Sequence, residues 1–147
     1  MEPVYSVLGA DVAIGNGANL TVEQNIAGNR GAGIVIGTEA STFIVAGSNT
    51  TALISENIAG QAGGGLESVL GADVLVEGGA SLVVQMNSAI NLVGGGLYLE
   101  KEGTSLTVTG NSTQVTVESN TAGLYGGGLF SVPVSYTHLR AHETYDH

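Results

Sequence analysis

Few residues in this chain have chemical reach, and their spacing sets what they could do. His138 and His142 form an H-x3-H pair, and all three histidines fall in the last ten residues; such a pair can ligate a metal ion. Asp11 and Asp73 open equivalent Gly-Ala-Asp-Val segments, and two carboxylates at a fixed separation are what glycoside hydrolysis requires. Arg30 and Lys101 are the only basic residues before residue 133. A polysaccharide lyase needs a basic proton acceptor beside a calcium site of clustered carboxylates. Glu23, Glu56 and Glu118 are acids without a D-x-D-x-D-G loop around them. Each feature has a plainer account. The aspartates recur because their segment recurs, Arg30 lies in a Gly-rich turn, and Lys101 sits between Glu100 and Glu102 in a solvated loop. No catalytic residue, metal ligand or cofactor site is assigned, and the chain is read as a non-enzyme.

Composition narrows the choice further. The 147 residues suit one domain. With 43% apolar and 11% charged residues, disorder is disfavoured. Gly is 24 and Pro only 2, with no G-X-Y period, which excludes collagen. A net charge of −10 excludes a nucleic-acid binder. The absence of Cys excludes disulfides. No apolar run approaches the roughly 18–20 residues of a membrane span, and no signal peptide is read at Met1. Three N-x-S/T sequons, at Asn19, Asn49 and Asn111, matter only in a host that glycosylates secreted proteins.

The elements that position these residues are repeats. A Gly-rich triplet followed by an aliphatic residue ends at Ile34, Leu66, Leu97 and Leu129, in steps of 32, 31 and 32. An aliphatic-x-x-Asn element keeps step: Val22–Asn25, Ile54–Asn57, Val84–Asn87 and Val117–Asn120. Within each repeat lie three short stretches that alternate Val, Ile, Leu and Thr, which is a strand signal. One is Val12-Ala-Ile14, repeated as Phe43-Ile-Val45, Val74-Leu-Val76 and Leu106-Thr-Val108. No window reads as an amphipathic helix. Short strands recurring every thirty-one or so residues predict an all-β, right-handed parallel β-helix of about four coils, rising about 19 Å at 4.8 Å per coil. Val12, Phe43, Val74 and Leu106 then form an inward column. Asn25, Asn57, Asn87 and Asn120 form a structural ladder at one corner, where Asn tolerates left-handed geometry and stacked amides bond to one another. Gly33, Gly65, Gly96 and Gly128 are turn glycines, placed where the chain needs positive φ. The outward column beside the first strand holds Tyr5, Val35, Glu67, Tyr98 and Phe130. Its aromatics, Tyr5, Tyr98 and Phe130, are a candidate contact surface, and Glu67, as an outward residue, should tolerate replacement by Ala.

The pattern stops near Pro133. Val134–Thr144 (VSYTHLRAHET) resembles a translated sequencing-library adapter. Residues 1–132 are therefore read as a piece of a longer solenoid, and 133–147 as a non-native, disordered tail.

The phased GGG-Leu and Val/Ile-x-x-Asn motifs resemble the repeats of chlamydial polymorphic outer-membrane proteins and, more widely, of autotransporter passengers and other pectin-lyase-like solenoids. Val22, Ile54, Val84 and Val117 stand where the chlamydial repeats carry Phe. The resemblance implies a secreted or outer-membrane, cell-surface adhesin with no catalytic residues in this stretch. Its partners would be a host-cell or matrix protein or a glycan, with no membrane insertion. Neither end shows the polar cap that protects a solenoid's open strand edges, so the isolated piece is expected to associate end to end. The rival reading is a fragment of a β-helix polysaccharide lyase or glycoside hydrolase whose active site lies in other coils.

Overall fold

Runs such as Thr42-Phe-Ile-Val-Ala46 are too short for a stable helix and rich in β-branched residues, so they form strands that bury one side only. The computed structural model describes residues 4–7, 11–132 and 136–139. Among the described residues there is no helix; the strands stack in parallel into a β-solenoid. Coil 1 comprises β1 (Val4–Val7), β2 (Asp11–Ile14), β3 (Asn19–Glu23) and β4 (Ile26–Ala27). Coil 2 comprises β5 (Ile34–Gly37), β6 (Thr42–Ala46), β7 (Thr51–Ser55) and β8 (Ile58–Ala59). Coil 3 comprises β9 (Leu66–Val69), β10 (Asp73–Glu77), β11 (Ser81–Gln85) and β12 (Ser88–Ala89). Coil 4 comprises β13 (Leu97–Glu100), β14 (Ser105–Thr109), β15 (Gln114–Glu118) and β16 (Thr121–Ala122). A fifth turn begins with β17 (Leu129–Ser131) and β18 (Tyr136–Leu139). Every coil therefore has a fourth strand, two residues long, beyond the three that alternation marks.

The register fixes the core. Val12 pairs with Phe43, Phe43 with Val74, and Val74 with Leu106. Phe43, Val74 and Leu106 are buried together with Ile34, Ile54, Leu66, Leu82 and Leu97. The fourth stack is thin, so its inward column is alanine throughout: Ala27, Ala59, Ala89 and Ala122.

The tail departs from its sequence reading. Residues 133–147 are expected to lie outside the solenoid, yet Tyr136–Leu139 pair in parallel with β14, Tyr136 opposite Ser105. A free strand edge accepts any extended backbone, because the bonds are main-chain bonds. The rest of that stretch, including His142, lies outside the described residues.

Candidate functional site

Two constructions stand out, one inside the solenoid and one against its first stack of strands. The inner one is the asparagine ladder. Asn57 Oδ1 accepts from Asn25 N (3.1 Å) and Nδ2 (2.9 Å). Asn87 Oδ1 accepts from Asn57 N (3.0 Å) and Nδ2 (2.9 Å), and Asn120 Oδ1 from Asn87 N (2.9 Å) and Nδ2 (3.0 Å). Each Nδ2 also donates to the penultimate carbonyl of the third strand in the coil before it: Asn57 to Val22, Asn87 to Ile54, Asn120 to Val84. Asn25, Asn57 and Asn87 are fully buried. The left-handed residue at this corner is not the asparagine but the one before it: Gln24, Glu56, Met86 and Ser119, at φ 54–57°. That backbone turn aims the amide inward, and the amide bonds offset the roughly 1–2 kcal/mol that each left-handed non-Gly residue costs.

The turn glycines also differ from their sequence reading. Positive φ belongs to the first glycine of each triplet, Gly31, Gly63, Gly94 and Gly126, at φ 65–68°. Gly33, Gly65 and Gly96 are required for close approach instead. A Cβ at Gly65 would lie 2.6 Å from Gly96 O and 2.9 Å from Asn87 Nδ2. At Gly128, the last of the column, the nearest atom is Val117 Cγ1 at 3.5 Å, so this glycine is under no such constraint.

The outer construction gathers Arg30, Glu67, Tyr98, Glu100 and Phe130. The register places Tyr5, Val35, Glu67, Tyr98 and Phe130 in one outward column, as their spacing predicts. Outward does not mean exposed here. The first glycine of each triplet folds back over the side chain four residues on: a Cβ at Gly63 would meet Glu67 Cβ at 2.8 Å, and one at Gly94 would meet Tyr98 Cβ at 2.6 Å. Tyr98 is 6% exposed and Glu67 only 3%. The candidate aromatic contact surface is thus largely covered. Tyr98 and Phe130 stack on each other at 5.8 Å between centroids, and Phe130 is half-buried. Of Tyr5 the pairing with Val35 is described, not the side chain.

Arg30 closes this cluster. Its Nη2 lies 2.6 Å from Glu67 Oε1 and also donates to Glu100 Oε2, while its guanidinium sits 5.1 Å from the Tyr98 ring centroid. Burial pushes the Glu67 carboxyl up to about 7; Arg30 opposes the shift and Glu100 adds to it. Glu67 Oε2 and Arg30 Nε are buried without partners. Burial and the Glu100 charge raise the Tyr98 phenol too. The expected tolerance of Glu67→Ala is therefore overturned: removal would leave a partly buried guanidinium short of one counter-charge. A cavity of about 240 Å³ beside the cluster is lined by Arg30, Glu67, Val69, Leu70, Glu100 and Lys101.

The remaining candidates stay apart. Asp11 and Asp73 both pair with Thr42, two coil steps from each other, and Asp73 Oδ1 accepts from Ser105 Oγ. Among the described residues no group of three or more His, Asp or Glu is placed to hold a metal ion.

Sequence reasoning missed a surface. On the narrow fourth side the outward column runs Ile26, Ile58, Ser88 and Thr121, apolar in its first two members only, while Met86, Ile90, Leu124 and Tyr125 are exposed apolar side chains in the adjoining turns. Coil 3 has one residue more than its neighbours between its Asn and its Gly triplet (Asn87 to Gly94 against Asn57 to Gly63), and Ile90 falls in that stretch. Exposed Glu23, Glu56 and Glu118 flank this side. Two-residue strands carry too little alternation to announce such a face. Comparison with family models, curated proteins and solved structures finds no match.

Proposed function

We propose that this chain is a non-catalytic structural and adhesive segment of a secreted or cell-surface repeat protein. It acts as a stiff rod that holds its sides in fixed positions for contact with a host-cell or matrix protein or a glycan. The observation that carries the reading is the combination of a buried amide ladder running coil to coil with exposed apolar side chains on and beside the narrow side. Stacked coils give rigidity, since coils 2 and 3 are bonded to both neighbours along all four stacks. Ile26 and Ile58, adjacent in register and exposed with Met86, Ile90, Leu124 and Tyr125 in the nearby turns, are the apolar groups left to meet a partner. Aromatic and aliphatic anchors of this kind dominate binding energy when covered.

The test uses beads coated with the full chain, applied to cultured epithelial cells and to arrays of matrix proteins and glycans. Retention on at least one surface is expected, with loss on combining Leu124→Ser and Tyr125→Ser. Both side chains are exposed, so the fold is retained, which circular dichroism checks. Failure to bind any surface, or binding indifferent to the double substitution, overturns the reading.

A further inference from the structure

The asparagine ladder has a direction. Each Oδ1 accepts from the coil before it, and each N–H and one Nδ2–H donate to the coil after it. On the coil 1 face this leaves an acceptor with nothing to accept: Asn25 Oδ1 is buried and has no partner. An unmet buried acceptor costs on the order of 1–3 kcal/mol, so the face is built for a donor. On the coil 4 face Asn120 gives one Nδ2–H to Val84 O, and among the described residues no strand covers the face beyond it. Among the described residues, no strand pairs with the outer edges of β15 and β16, or with those of β3 and β4. Beside the free edge of β15 opens an apolar cavity of about 410 Å³, lined by Leu97, Leu106, Val115, Val117, Gly128 and Leu129.

We propose that a second copy of this chain seats its coil 1 face on coil 4, continuing the solenoid head to tail. The register follows from the repeat. Chain steps from β3 to β7 to β11 to β15 align Leu20, Ala52, Leu82 and Val115, and likewise Val22, Ile54, Val84 and Val117. The next step sets Leu20 and Val22 of the second copy over Val115 and Val117, filling the cavity with residues of the column's own kind. Thr121 and Ala122 meet Ile26 and Ala27 of the second copy. The amide ladder then crosses the joint as it crosses every coil boundary. Asn120 N–H and Nδ2–H donate to the unmet Asn25 Oδ1 of the second copy, whose Nδ2–H donates to Val117 O.

The first two stacks impose an exchange. β17 and β18 already occupy the places that β1 and β2 of the second copy would take, so those two strands give way. Leu129-Phe-Ser131 replaces Val4-Tyr-Ser6, which is similar in shape and alternation. Such a joint is heterologous, so it repeats without closing and yields filaments. One contact opposes it. Glu118 comes opposite Glu23 of the second copy, where within the chain Ser55 faces Glu23 and Gln85 faces Glu118. Like charges directly opposed are unfavourable, so association strengthens with ionic strength.

The chain has no cysteine, which makes the joint testable by cross-linking. Thr21 and Thr116 face each other across the proposed joint but stand three coil steps, about 14 Å, apart within one chain. That separation is beyond the roughly 7 Å limit for a disulfide. The full chain carrying Thr21→Cys and Thr116→Cys, oxidised, should give a regular ladder of covalent oligomers on a non-reducing gel, stronger at high salt. The offset pair Thr21→Cys with Gln114→Cys should not. No ladder from the in-register pair in a chain folded by circular dichroism overturns the proposal, as does an equal ladder from the offset pair.

Discussion

Asn87 does four things at once, and none survives its removal. Its Oδ1 accepts from Asn57 N and Nδ2, and its Nδ2 donates to Ile54 O and to Asn120 Oδ1. Asn87→Ala strands these groups where water does not reach, so it should lower stability by on the order of 3 kcal/mol. Glu23→Ala, at an exposed site, should stay within about 0.5 kcal/mol; urea unfolding of both variants checks the difference. Glu67 gives a pH signature. Its folded-state value of about 7 lies above the ordinary 4.5, so between those limits the folded chain holds the proton more tightly than the unfolded one. Stability should therefore fall as pH rises through that window and level off above it, by on the order of 3 kcal/mol at most. Glu67→Gln should remove this component, and melting curves at pH 5 and pH 8 would show it. The ladder was legible because Val/Ile-x-x-Asn recurs in fixed step. The ion cluster was not, because alternation says only that Glu67 points outward. It does not say that Arg30 reaches across from a turn 37 residues earlier, nor that the glycine loop covers both.

At the scale of the element, the glycine triplets separate two demands that look alike in sequence. The first glycine supplies the left-handed turn, and the third keeps a Cβ away from the neighbouring coil. Gly96→Ala would set a methyl group 2.6 Å from Gly128 O and 2.7 Å from Asn120 Nδ2, neither of which can retreat without breaking the ladder. Gly28→Ala meets nothing within 4 Å and needs no positive φ, so it should be neutral or stabilise slightly by restricting the unfolded chain. A melting temperature lowered by several degrees for the first and unchanged or raised for the second is the expected pair of results. The three longer strands of each coil could be read from alternation and turn residues. The fourth could not, since two residues such as Ser88 and Ala89 define no period. With it went the narrow side and its exposed Ile26 and Ile58.

For the whole molecule, the argument turns on how stability is distributed along a stack. Apart from Arg30, which reaches Tyr98 and Glu100 of coil 4, each coil packs on its neighbours, so free energy accumulates chiefly by addition of interfaces rather than in one central core. Burial already records the consequence. β6, β10 and β14 alternate half-buried and buried positions, whereas β2 and β15 contain no fully buried residue. Coils 2 and 3 are sandwiched on all four stacks, while β3 and β15 each have one partner strand. Local opening should then be graded. Amides of β7 and β11 open only by breaking interfaces on both sides, and those of β3 and β15 by breaking one. Hydrogen exchange followed by mass spectrometry should show slowest exchange in peptides covering β7 and β11, with β3 and β15 exchanging faster. Uniform protection would instead mean that the coils open as a single cooperative block. Head-to-tail stacking adds a concentration dependence to the same experiment: a joint that covers β3 and β15 should slow their exchange as protein concentration rises and leave β7 and β11 unchanged.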